Sequence, residues 1–316
     1  MNHQIAIGVD LGGTNLRVGA FDKEGHLLTR LEARIASVDP ENGLRLIERM
    51  IQEVLNSVNR PDLLGIGIGS TGPVNTIRGT INNPYTLAGW ENVPIVEHLN
   101  QSFKVPVQLE NDADAAALGE YWRGAGRGAQ RLYAVTVGTG VGTSLIIDGK
   151  IYRGLDGSHP EGGHQLIDPN GPECYCGHSG CWESLISGLA ISSHARSAPD
   201  NQHIIDLALG DPNQIDTRLV ADAAHAGDPT AVAIMQKAAR DFSLGLINII
   251  SLFVPDVLVL SGGVMKSVDL FLPTLEAMLK TPAPMVPFER VKILPAQLGY
   301  YAGLYGGAYT VLSEIP

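Results

Sequence analysis

All three cysteines of the 316-residue chain fall within eight positions, Cys174-Tyr-Cys176-Gly-His-Ser-Gly-Cys181, and His164 stands ten residues upstream. An odd number of cysteines so closely spaced is no disulfide framework. Three thiolates and one imidazole make a closed tetrahedral zinc site, structural because no coordination position stays open for water. By spacing alone, His178 or His159 serves as fourth ligand as well as His164 does. Glu161-Gly-Gly-His164 and Glu183 bracket the knot, so a metal there would hold polar side chains rigidly against a substrate.

The rest of the chain reads as strands punctuated by glycine and alternating with helices. Ile5–Asp10 and Leu16–Phe21 are strands on either side of Leu11-Gly-Gly-Thr14, and a third strand starts at His26. A helix with Asp39 as N-cap and Pro40 in its first turn buries Ile47, Met50, Ile51, Val54, Leu55 and Val58 at helical spacing. Leu64–Gly69 and Val105–Glu110 are further strands, the second running into Asn111-Asp112 and an alanine-rich helix through Tyr121. The same device then recurs. Leu132–Val137, Gly138-Thr-Gly-Val-Gly142 and Thr143–Ile147 repeat strand, glycine turn and strand at an offset of 126 residues, which superposes Gly12 on Gly138 and Asp22 on Asp148. The expected fold is α/β, built as two related domains, each opening with a glycine hairpin and facing the other across a cleft.

Lys+Arg 22 against Asp+Glu 33 gives a net charge of −11, the wrong sign for gripping nucleic acid or an anionic membrane. The start lacks a basic region before a long apolar one, so no secretory leader is expected. The stretch Phe242–Val254 ends at Pro255-Asp256, too short to span a bilayer, and reads as a buried helix. A cytoplasmic globular protein is expected.

Asp10-Leu-Gly-Gly-Thr14 places a carboxylate at a strand end beside bare backbone, where N–H groups can approach a phosphate and Asp10 can hold Mg²⁺ through water. Gly138-Thr-Gly140 repeats the arrangement. Neither is a Walker loop or a dinucleotide fingerprint. Glu110-Asn111-Asp112-Ala-Asp114 lies at a strand-to-helix junction, where open α/β sheets bind ligands, and an ionised Asp112 there can accept a proton from a hydroxyl. Ser261-Gly-Gly263 follows the strand Val257–Leu260, and the small-residue helix Leu298–Ala308 is built to pack closely.

Together these motifs resemble the ROK family, the bacterial sugar kinases and sugar-responsive repressors of the actin-like ATPase superfamily. The resemblance covers nearly the whole chain, and its most specific part is Glu161-x-Gly-His164 with Cys-x-Cys-Gly-x-x-Gly-Cys-x-Glu183. It implies two actin-like (ribonuclease H-like) domains flanking a cleft, with a structural zinc site. The domains are expected over residues 1–115 and 116–300, with a helix at about 301–316 returning to the first. It implies Asp112 as general base, with Gly72, Asn111, Glu161, His164 and Glu183 on the sugar. Asp10, Gly12, Gly13, Thr14, Gly138, Thr139, Gly140, Gly262 and Gly263 are implied for the nucleotide, and His164, Cys174, Cys176 and Cys181 for zinc. The chain departs from the family pattern at Thr86, usually Asn, at Gly162, usually aliphatic, and in the turn continuing Val-Gly-Thr-Ser144.

The implied activity is ATP- and Mg²⁺-dependent phosphorylation of a hexose 6-hydroxyl, with glucose the first candidate. N-acetylmannosamine, N-acetylglucosamine, fructose or a β-glucoside are alternative acceptors, and polyphosphate an alternative donor. A sugar-responsive regulator is the alternative of another class. Family repressors carry a helix-turn-helix domain before the first phosphate motif, whereas that motif here begins within ten residues of Met1. A homodimer or homotetramer is implied by the family alone.

Overall fold

The computed structural model describes residues 4–35, 38–59, 61–280 and 284–314. Residues 1–3 of the opening segment, and Ile315 and Pro316 of the expected C-terminal helix, lie outside the described residues.

In chain order, β1 (Gln4–Leu11), β2 (Asn15–Asp22) and β3 (Leu27–Arg34) precede α1 (Pro40–Ser57). Then come β4 (Asp62–Ser70), the short strands β5 (Val74–Asn75), β6 (Thr80–Asn83) and β7 (Trp90–Val93), and α2 (Ile95–Phe103). β8 (Val107–Asn111) passes directly into α3 (Asp112–Arg123). β9 (Arg131–Val137), β10 (Val141–Ile147) and β11 (Lys150–Ile151) follow. Next are α4 (Trp182–Ile186), α5 (Gly188–Ser197), α6 (Gln202–Leu207), α7 (Thr217–His225) and α8 (Pro229–Phe253). β12 (Val257–Ser261), α9 (Leu272–Leu279), β13 (Lys292–Pro295) and α10 (Ala302–Leu312) complete the chain.

The chain forms two compact units. The first comprises Met1–Gln130, Ser144–His159 and Ala296–Pro316, and the second Arg131–Thr143 and Pro160–Pro295. A division after residue 115 would cut α3, which stays whole in the first unit because its small-residue face packs under α10.

In the first unit the sheet runs β3-β2-β1-β4-β8, antiparallel through β3, β2 and β1 and parallel from β1 to β8. Its strands alternate with α1 and α2, which cover the apolar residues of one face. The Asp39 side chain caps α1 by accepting from Asn42 N at 3.1 Å. That helix then buries Ile47, Ile51 and Val54 against Ile5, Ile7 and Val9. The strand read from Val105 starts at Val107, because Pro106 has no N–H for the ladder; its carbonyl accepts from Ile66 N at 2.9 Å instead. On the other face α10 lies against β1, β4 and α3. Gly67 and Gly306 allow this approach: a Cβ on either would collide with the Gly307 or Ala115 carbonyl. The helix read over Leu298–Ala308 begins at Ala302, after a 3₁₀ turn at Gly299–Tyr301.

In the second unit β9, β12 and β13 run parallel, and Phe253 at the end of α8 packs on Tyr133 of β9. The stretch Phe242–Val254, read as buried throughout, is the latter part of α8. Phe242, Leu246, Ile249 and Ile250 are buried, but Leu252 is 76% exposed, since this stretch spans more of the helix circumference than the unit covers. No described helix is long and apolar enough to cross a membrane.

Candidate active site

The strand-to-helix step in the first unit is built by a side-chain cap. Asn111 ends β8 in extended conformation, and its Oδ1 accepts from Ala113 N at 2.9 Å, which starts α3 one residue later. Asp112 therefore occupies the first helical position, its own Oδ1 also 2.9 Å from Ala113 N. The Asp112 side chain retains solvent access at its surface yet is densely surrounded by protein. That crowding, reinforced by repulsion from Asp10, pushes its carboxyl up to about 6, against the pull of the Ala113 N–H. A carboxylate in this range is ionised at neutral pH and still basic enough to take a hydroxyl proton.

Asp10 lies near the end of β1, paired across the ladders with Arg17 and Gly69. Burial raises its carboxyl, partly countered by Arg17, whose Nη1 bonds Oδ2 at 2.8 Å. Gly12 N closes the first glycine turn onto Asn15 O at 2.9 Å, and Ile35 N bonds the Thr14 carbonyl at 2.9 Å. Gly13 is confined: a Cβ there would come within 3.0 Å of Thr86. Gly72 stands beside Asn111, so close that a Cβ would approach Asn111 Nδ2 to 2.8 Å.

Thr86 is held by a hydrogen-bond network. Asn83 Nδ2 donates to Thr86 Oγ1 at 2.7 Å, Asn83 Oδ1 accepts from Thr86 N at 3.0 Å, and Thr71 Oγ1 lies 3.4 Å from Thr86 Oγ1.

Two residues flank this step: Arg153, which carries no signal in the sequence, and His159, which spacing offered only as a metal ligand. Arg153 bonds Glu110 through Nη2 and Asp114 through Nη1. His159 Nδ1 lies 3.0 Å from the same Asp114 oxygen. Burial alone would raise Asp114, but His159 and Arg153 outweigh it and hold that carboxyl below the usual range. Burial pushes Glu110 up to about 7 despite Arg153. Arg153, His159 and Asn111 also line a cavity of about 280 Å³ with Asn75, Ile77 and Arg78.

In the second unit His164, Cys174, Cys176 and Cys181 converge, their four ligand atoms all within 4.8 Å of one another. Cys176 and Cys181 sulfurs are 3.5 Å apart, and Cys174 Sγ is 3.5 Å from His164 Nδ1. Zn–S bonds of about 2.3 Å in a tetrahedron require sulfurs about 3.8 Å apart, so this donor set fits zinc. Local chain geometry makes the knot. Cys174 N bonds His178 O at 2.7 Å and Gly177 N bonds Cys174 O at 2.9 Å, while Gly177 at φ 94° supplies the left-handed turn. Of the alternative ligands, His178 reaches Cys176, Nδ1 to Sγ 3.9 Å, and its N–H and ring draw the Cys176 thiol down to about 6. His159 is committed to Asp114 in the first unit.

His164 turns Nδ1 toward the sulfurs and keeps Nε2 for the Tyr175 hydroxyl at 3.1 Å. Cys181 caps α4, whose first turn carries Glu183. Glu183 Oε2 accepts from Val141 N at 2.7 Å, and a Cβ on Gly140 would collide with that carboxylate. The second glycine turn and the cysteine knot are thereby joined. Trp182 anchors α4, its Nε1 donating to Asp241 O at 3.0 Å and its ring stacked on Phe242. Gly138 N closes its turn on Gly140 O at 2.9 Å, and Thr139 lines a cavity of about 310 Å³ with Glu173, Tyr175, Ser187 and Leu189. Gly162 is confined, since a Cβ would come within 2.6 Å of Thr143 Oγ1 and 2.9 Å of the Tyr133 hydroxyl. Gly262 holds φ 98° after β12, and beside Gly263 a Cβ would meet open space.

The ROK family model matches residues 6–314. The glucokinase of Streptomyces coelicolor is 34% identical over 311 residues, 96% of each chain. That of Thermotoga maritima is 32% identical over 313 residues, 98% of each chain. Among solved structures, a ROK family glucokinase from Streptomyces griseus, in complex with glucose and AMPPNP, matches with a TM-score of 0.77 at 33% identity, covering 97% of this chain and 98% of that one. The chain belongs to the ROK family.

Proposed function

We propose that the protein is a glucose kinase that transfers the γ-phosphoryl group of ATP to the sugar 6-hydroxyl. The observation that carries the chemistry is Asp112, a carboxylate held at the first turn of α3 with its pKa raised to about 6. The near full-length likeness to proteins named glucokinase supports glucose as acceptor and ATP as donor.

Asp112 accepts the proton of the 6-hydroxyl as that oxygen attacks phosphorus in line. The residues assigned to sugar hydroxyls are Gly72, Asn111 and Asp112 in the first unit and Glu161, His164 and Glu183 in the second. The turns Gly12-Gly13-Thr14 and Gly138-Thr139-Gly140, each closed by the N–H of its first glycine, bring bare backbone to the phosphate oxygens, and Gly262-Gly263 lets the adenosine lie against bare backbone. Asp10 would hold Mg²⁺ through water, and the cation would supply neutralisation of charge on the transferring phosphoryl group. Cys174, Cys176, Cys181 and His164 would hold zinc, which supplies rigidity alone, fixing Glu183 and His164 for the sugar.

An ADP-release assay across glucose, mannose, fructose, N-acetylmannosamine and N-acetylglucosamine tests the reading, with ATP and polyphosphate as donors. Glucose with ATP is expected to give the highest kcat/KM. Absence of phosphorylation for every sugar overturns it.

A further inference from the structure

We propose that Arg153 and His159 are positioning residues for Asp112, clamping the chain on both sides of the Asn111–Asp112 step; the inference rests on the role just given to Asp112. Glu110 precedes Asn111 at the end of β8, and Asp114 follows Asp112 in the first turn of α3. One guanidinium holds both carboxylates, Nη2 on Glu110 and Nη1 on Asp114. The planar fork of Arg fixes two acceptors at once in a set orientation, which a single ammonium group cannot do. His159 adds a second bond to the same Asp114 oxygen, at 3.0 Å.

The burial of this cluster gives it leverage. The Asp114 side chain is 1% exposed, and a carboxylate so deeply placed must be paired. A single ion pair would suffice to tie residues 153–159 to the unit. Instead, two acids straddle the Asn111–Asp112 pair and share one cation, so the rotation of the first turn of α3 relative to β8 is set by the clamp. The clamp also acts electrostatically on Asp112. Around it stand Asp10 with its partner Arg17, and Glu110, Asp114, Arg153 and His159; the charge of His159 favours the ionised carboxylate while that of Asp10 opposes it.

Steady-state kinetics from about pH 5 to pH 9, with thermal melting of each variant, tests this. Wild-type activity on glucose is the control. A wild type inert toward every hexose removes the role of Asp112 itself, whereas an active wild type with unaltered variants removes only the clamp. His159→Gln keeps a hydrogen bond to Asp114 without the charge. It is expected to move the acidic limb of kcat/KM to higher pH and leave the plateau within about twofold. Arg153→Lys keeps charge without the fork. It is expected to lower kcat on the order of 10-fold to 10²-fold with KM for ATP unchanged. Should Arg153→Lys fail to fold, Glu110→Gln, a neutral isostere, is expected to lower kcat in the same sense. An unmoved limb in His159→Gln removes that residue from the proposal. Unchanged kcat at Arg153 or Glu110, or losses confined to melting temperature, removes the clamp.

Discussion

The step at Asn111–Asp112 and the knot at Cys174–Cys181 solve opposite problems. In the first, negative groups crowd together, and the protein supplies its own counter-charges in Arg17, Arg153 and His159. Burial raises Asp10 and Glu110 even with those cations on them, and it pushes Asp112, which has no ion pair, up to about 6. In the second, three thiols and an imidazole converge into a donor set that fits zinc, whose charge would balance the thiolates. On the proposed function, one region is tuned by burying a carboxylate without an ion pair, and the other would be held rigid by a closed coordination sphere. Reactivity therefore belongs to the first and shape to the second.

Asp112→Asn separates the two most sharply. Turnover is expected to fall on the order of 10²- to 10⁴-fold with KM for glucose little changed, measured by coupled ADP release. Near-normal turnover would erase the distinction. Cys176→Ser is expected to act the other way. Metal analysis should fall from one zinc per chain toward none, and KM for glucose should rise by up to about tenfold for each hydrogen bond lost from Glu183 and His164, ahead of any change for ATP. A variant that loses turnover but keeps its sugar affinity would contradict the division.

The pH profile sharpens the same contrast. Protonated Asp112 cannot accept the hydroxyl proton, so kcat/KM is expected to rise through about pH 6 and to lie about tenfold below its plateau at pH 5. The smallest effect concerns stability. A carboxyl whose folded pKa lies above its unfolded value contributes stability below the unfolded pKa, and that contribution is lost as pH rises through about 6. Asp112→Asn is therefore expected to melt above the wild type at pH 8, with the gap narrowed to about half at pH 5 and closing only below about pH 4, as read by differential scanning calorimetry. An equal gap at both pH values would show that the shift has another cause.

Much of the site was legible because local spacing encodes it. Asn111 caps the helix that carries Asp112, and cap, strand end and first turn are neighbours in the chain. The tip of the cysteine knot is closed by hydrogen bonds spanning three and four residues, so its letters nearly specify its shape. The short strands β5, β6 and β7 left no periodicity to read, being two to four residues long. The helices α4 to α7 were likewise unread, because they are short and owe their limits to packing and to caps such as Ser187 and Asp216.

By itself the amino-acid sequence determined which groups are locally joined: the capped Asp112, the bare backbone at both glycine turns, and three thiols forced into one loop. Tertiary structure alone decided the partners. It chose His164 as the imidazole beside the three thiols, sent His159 to Asp114 across 45 residues, and set Arg153 between Glu110 and Asp114 across 43 and 39. It also brought Glu183 against Gly140, 42 residues from its partner Val141. The physical reason is range. Capping, turn formation and chelation by neighbouring residues act within a turn or two of chain, whereas the pairing of buried charges is settled only when the whole unit packs and each ion must find a counter-ion or remain expensively alone.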